Sequence, residues 1–174
     1  MLIIVEGPDG SGKTTLVNEI NKKGIAKKIY GTHKDMPNQY SLWFNLMYKC
    51  VNDKRNNYII DRCFLSDWAY RISMNDGKPY ITLEEITELL KIPNVIYIFC
   101  DTDNAYELSQ IRGDEYVNDK FKHSKLRNVY NFIKTTIEKF CNIKCIKYDL
   151  KKDTITNIYN MLSEEFSNET KSMD

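Results

Sequence analysis

Short apolar runs alternate along this chain with segments whose apolar residues recur at three- and four-residue spacing. That is the pattern of strands buried between layers of helix. Leu2-Ile3-Ile4-Val5-Glu6 is a nearly uninterrupted apolar run, and residues 58–61 and 95–100 repeat it. Weaker runs at 27–32 and 143–148 bring the predicted strands to five. Helices are predicted over about 13–23, where Leu16, Val17 and Ile20 share a face, and over 38–51, 64–74, 82–91, 103–111, 120–140 and 154–166. Thr82 followed by Glu85 is a capping-box signature that fixes one of these starts. Residues 112–119 form a polar, glycine-containing break, and the tail at 167–174 is expected to fray. Strands alternating with helices predict a doubly wound α/β fold around a parallel five-stranded sheet. No repeat or Pro/Gly-rich linker interrupts the pattern, so residues 1–174 are expected to form one domain.

Composition narrows this picture. With 42% hydrophobic and 28% charged residues the chain has the make-up of a globular domain, not of a disordered one. Lys and Arg number 25 against 24 Asp and Glu, without the basic excess of a dedicated nucleic-acid binder. No apolar run is long enough to cross a bilayer, and the first residues lack the charged start of a signal peptide. Cys50, Cys63, Cys100, Cys141 and Cys145 include no C-x-x-C pair and are expected to be reduced, as in a cytoplasmic protein. Arg is scarce: Arg55, Arg62, Arg71, Arg112 and Arg127 are the full set. Each deserves inspection, because Lys cannot replace the bidentate guanidinium fork where phosphate is gripped.

The chemistry is concentrated near the start. Gly7-Pro8-Asp9-Gly10-Ser11-Gly12-Lys13-Thr14 fits G-x-x-x-x-G-K-S/T at every fixed position, with a buried strand before it and an amphipathic helix after it. Its glycines let backbone N–H groups turn toward phosphate oxygens, and the helix supplies its positive end. The loop and its first helical residues, through Thr15, are the candidate ATP site; Lys13 would bridge the β- and γ-phosphates and Thr14 would ligate Mg²⁺. Asp61 ends an apolar strand, the place of a second Mg²⁺ ligand, although an Asp there also suits the cap of the following helix. No Asn/Thr-Lys-x-Asp motif follows a later strand, which excludes a GTPase, and the chain is too compact for a mechanical ATPase.

From Val5 to Leu16 the sequence resembles the thymidylate kinase family of P-loop nucleoside monophosphate kinases. Asp61-Arg62-Cys63-Phe64-Leu65-Ser66-Asp67-Trp68-Ala69-Tyr70 is similar to that family's Asp-Arg segment, Arg112-Gly113-Asp114-Glu115-Tyr116 to a shortened lid, and Leu126-Arg127-Asn128-Val129-Tyr130 to the helix behind the lid. The resemblance implies transfer of the ATP γ-phosphoryl group, with Mg²⁺, to a deoxynucleoside monophosphate, dTMP first among them. It further implies Arg62 on the acceptor phosphate, Asp9 near the sugar 3′-OH, Tyr70 against the sugar, and Phe44 (or Trp43) stacked on the base. Homodimers are usual in the family. Gly10 stands where some members carry a catalytic Arg; members with Gly there take that Arg from the lid, which here offers Arg112.

The chain departs from the family where an Arg-Glu-Pro segment is usual and Tyr30-Gly31-Thr32-His33-Lys34-Asp35 stands instead. Lys34 or His33 is then the substitute for the missing Arg. Two other functions compete. A deoxynucleoside kinase needs a carboxylate base for a neutral 5′-OH, and neither segment supplies the expected Glu. A non-catalytic P-loop nucleotide-binding module needs none of Lys13, Thr14, Asp61 or a lid Arg. A polynucleotide 5′-kinase fits poorly with the near-neutral charge.

Overall fold

The computed structural model describes residues 1–31, 37–74, 78–113, 117, 119–141, 143 and 145–171. Its five strands are β1 (Leu2–Glu6), β2 (Lys27–Ile29), β3 (Tyr58–Asp61), β4 (Val95–Cys100) and β5 (Cys145–Tyr148). They form one parallel sheet in the order β2-β3-β1-β4-β5. β1 is central and buried over its whole length, as its apolar run requires. In register, Val5 lies beside Asp61 and Ile98, so the end of β1 meets the acid that ends β3.

Seven helices accompany the sheet among the described residues: α1 (Lys13–Lys22), α2 (Gln39–Asn52), α3 (Phe64–Met74), α4 (Leu83–Leu90), α5 (Ala105–Ile111), α6 (Lys120–Phe140) and α7 (Ile155–Lys171). Alternation along β1 splits the core. Leu2 and Ile4 face a cluster with Trp43, Met47, Phe64, Leu89, Tyr97, Leu126 and Tyr130, while Ile3 and Val5 face Leu16, Val17, Ile20, Ile158 and Leu162. Thr82 starts α4 through the predicted capping box, its Oγ1 accepting from Glu85 N at 3.2 Å while Glu85 Oε2 accepts from Thr82 N at 2.8 Å.

The differences from the sequence expectation are at element ends. β2 stops at Ile29 rather than 32, β5 begins at Cys145 rather than 143, and α7 continues past 166 to Lys171. β2 is an edge strand with β3 as its one neighbour, so pairing sets its length more than its own residues do. All five cysteines are free. No described helix is long and apolar enough to cross a membrane. His33 and Lys34, and lid positions 114–116 and 118, lie outside the described residues.

Candidate active site

The phosphate loop links the C-terminal end of β1 to α1, the end of a parallel sheet where ligands bind. Two of its glycines are required by space as well as by conformation. Gly7 has φ +142°, and a Cβ there would lie 2.1 Å from the Cys100 carbonyl oxygen. Gly10 has φ +75°, and its Cβ would lie 1.8 Å from the Ala105 carbonyl oxygen at the start of α5. The space a side chain would need at position 10 is therefore filled by α5 backbone. Gly12, at φ +90°, packs beside Leu150, and Ser11 is fully buried.

Lys13 is buried at the first position of α1 and lies back along the loop. Its Nζ donates to the Pro8 carbonyl at 2.5 Å and approaches Ser11 Oγ at 3.4 Å. Burial, reinforced by repulsion from Arg62 and opposed by Asp9 and Asp61, lowers its ammonium pKa to about 7. Thr14 and Thr15 are exposed on the first turn of α1. Thr14 Oγ1 donates to Asp61 Oδ2 at 2.7 Å, so the carboxylate turns toward the phosphate loop, and the Thr14 lone pairs stay available. The other oxygen, Asp61 Oδ1, is buried and has no hydrogen-bond partner among the described residues. A hydroxyl beside a carboxylate with an unsatisfied oxygen is a hard-oxygen donor set that fits Mg²⁺. No cluster of three or more His, Cys, Asp or Glu suited to a metal occurs among the described residues. Such a thin donor set matches an ion that takes most of its ligands from phosphates and water.

Arg62, just after β3, has φ +71°, an uncommon conformation for a residue with a side chain. The turn carries its guanidinium back over the phosphate loop, where Nη1 donates to the Gly7 carbonyl at 3.2 Å and to Tyr130 OH at 3.1 Å. Nη2 forms an ion pair with Asp9 Oδ1, and Tyr70 OH donates to Asp9 Oδ2 at 2.5 Å. The guanidinium also stands 5.1 Å from the centre of the Tyr70 ring. Beneath this group Glu6 is completely buried. It accepts from Cys63 N at 2.7 Å and Ser66 Oγ at 2.6 Å, and Ser66 Oγ lies 2.8 Å from Tyr130 OH. Burial raises the Glu6 carboxyl above its usual range despite these donors and Arg62.

A cleft of about 440 Å³ collects these groups. Its lining includes Asp9, Lys13, Thr14, Asp61, Arg62 and, from the end of α5, Arg112. Arg112 is exposed, and Gly113 beside it has φ +72° with no described residue near its Cβ direction. Sequence-predicted Gly10, Gly12 and Thr14 thus share one cleft with Arg62 and Arg112, and Tyr70 reaches it through Asp9. Phe44 does not line it. Phe44 is 37% exposed on α2, parallel to Tyr48 at 5.9 Å and 6.0 Å from Tyr40. Trp43 is core, edge-on to Phe64 and packed on Gly31.

Four residues in or behind the site escaped the sequence reading of roles. Lys28 lines the cleft from β2, with Nζ 3.0 Å from Asn18 Oδ1. Glu6 could have been found as the charged residue closing an otherwise apolar central strand. Tyr130 and His123 sit on α6, more than a hundred residues beyond the loop, and no local pattern reports their contacts.

No family model matches the chain. A protein of Acidianus bottle-shaped virus (isolate Italy/Pozzuoli), provisionally named a thymidylate kinase, is 29% identical over 83 residues, which are 46% of this chain and 53% of that protein. The matched segment thus spans about half the length of that relative. Among solved structures, the Bacillus subtilis YorR protein, in complex with phosphorylated GDP, superposes with a TM-score of 0.74 at 19% identity over 98% of both chains. Deoxyadenosine kinase from M. mycoides with bound dCTP gives 0.61 at 20% identity over 96% of this chain and 100% of that one. Thymidylate kinase from Candida albicans gives 0.55 at 20% identity over 97% and 92%.

Proposed function

For a chain with the α/β fold of the thymidylate kinase-like P-loop proteins, we propose ATP-dependent phosphorylation of a deoxynucleoside monophosphate, dTMP first, to the diphosphate. The observation that carries this reading is the charge arrangement of the cleft. Lys13, Lys28, Arg62 and Arg112 line it with two carboxylates: Asp9 is held by Arg62 and Tyr70, and Asp61 accepts from Thr14 at one oxygen and keeps the other for Mg²⁺. A neutral 5′-hydroxyl needs a carboxylate positioned to take its proton. A monophosphate acceptor is already ionised and needs cations instead, so catalysis reduces to alignment and charge neutralisation.

In this mechanism the phosphate loop binds the ATP phosphates, and Lys13 offsets their charge. Thr14 and Asp61 would hold Mg²⁺, which when bound supplies further neutralisation and orients the triphosphate. Arg62 grips the acceptor phosphate, held in aim by the Gly7 carbonyl and Tyr130. Arg112 closes from the end of α5 onto the transferring group.

The test is ADP release with Mg-ATP against every deoxy- and ribonucleoside monophosphate and the corresponding nucleosides. Turnover with deoxynucleoside monophosphates, fastest with dTMP, is expected. Turnover confined to nucleosides would replace this reading with a deoxynucleoside kinase. Tight ATP binding without any turnover would replace it with a nucleotide-binding module.

A further inference from the structure

His123 lies in the second turn of α6 and is 3% exposed. Its Nε2 is 2.9 Å from the carbonyl oxygen of Asp9, in the middle of the phosphate loop. A carbonyl only accepts, so Nε2 carries the hydrogen. The start of α6 is itself fixed: Asp119 caps it by accepting from Phe121 N at 2.7 Å, and Asp119 O accepts from His123 N at 2.9 Å. Tyr106 of α5 packs edge-on to the imidazole, with ring centres 5.6 Å apart.

We infer that His123 is a positioning residue for the phosphate loop, setting the orientation of the Asp9–Gly10 peptide. The peptide is planar, so its C=O and N–H point in opposite directions. Holding the Asp9 carbonyl on α6 turns the Gly10 N–H away from α6, and Gly10 lines the nucleotide cleft. The same anchor fixes the Asp9 backbone, from which the carboxylate reaches both Arg62 and Tyr70. Asp9 stands between Pro8 and a glycine in the left-handed region, outside any strand or helix. Without this hydrogen bond its peptide lacks the ladder partners that hold regular structure. The inference rests on the phosphate-binding half of the proposed function.

Two measurements test it. The first is the imidazole ¹⁵N chemical shifts of the wild-type protein, which should show hydrogen on Nε2; a neutral ring carrying it on Nδ1 overturns the contact, whatever the protein binds. The second is calorimetric titration of Mg-ATP into wild type, His123→Leu and His123→Gln. Leu keeps volume and loses the donor; Gln keeps an N–H donor. Leu should weaken Mg-ATP binding about tenfold, the size of one lost hydrogen bond, and Gln should restore it to within about threefold. Equal binding by all three proteins, or equal loss in both variants, overturns the positioning role. Wild type that does not bind Mg-ATP overturns the kinase reading instead, and should the Leu variant fail to fold, the ring shifts still decide the contact.

Discussion

Arg112 ends α5 exposed at the rim of the cleft, and no described residue crowds Gly113 next to it. A guanidinium so placed contributes little to the fold, and the proposed mechanism assigns it to the charge that would develop during transfer. Arg112→Ala should therefore lower turnover by roughly 10²- to 10³-fold, the usual cost of one lost electrostatic stabiliser, while Mg-ATP affinity stays within about twofold. Steady-state kinetics with parallel calorimetry checks this, and unchanged turnover would remove Arg112 from the mechanism. Arg62 differs: Gly7, Asp9, Ser66 and Tyr130 all contact it, so its loss would unsettle the loop as well as the chemistry.

At the scale of elements, α5 is seated against the phosphate loop at one end and carries Arg112 at the other. Two glycines flank this helix in opposite circumstances. Gly10 has left-handed φ and the Ala105 carbonyl in its Cβ path, whereas Gly113 has similar φ and no neighbour within 4 Å among the described residues. Gly10→Ala should cost at least about 3 kcal/mol, combining backbone strain with displacement of α5, and Gly113→Ala only about 1 kcal/mol. Urea denaturation of the two variants measures the difference. Near-equal losses would show that α5 yields easily to the loop.

For the molecule as a whole, Lys13 makes stability depend on pH. Its pKa falls from 10.5 to about 7 on folding, mainly through burial. Between these values the unfolded chain binds a proton that the folded one lacks, so stability should rise with pH across that window, by at most about 1.4 kcal/mol per pH unit. Denaturant melts at pH 7 and pH 9 should show the rise in wild type, and Lys13→Met should flatten it. A wild-type slope matching that of the variant would contradict the assignment. The sheet, the helices and the phosphate loop were legible in the sequence because apolar periodicity and the G-x-x-x-x-G-K-S/T pattern are local. The nearness of Asp61 to the phosphate loop was legible too, because the strand ends of a parallel sheet meet at one edge, whereas its hydrogen bond with Thr14 was not. What stayed hidden depends on distant packing: His123 meets Asp9 across 114 positions and Ser66 meets Glu6 across 60. Phe44 shows the converse, since helical spacing marks an aromatic stripe without telling which member turns inward, and here Trp43 does.

The seat of α5 on Gly10 also constrains how such a chain can change over generations. While Ala105 stays where it is, no residue larger than glycine is admissible at position 10, so an arginine there cannot arise by one substitution at neutral cost. The helix has to move first. An ancestor with a loop-borne arginine and a descendant with this helix placement are thus joined only through an intermediate holding glycine at position 10 and a raised α5, and the order of the two changes is dictated by sterics.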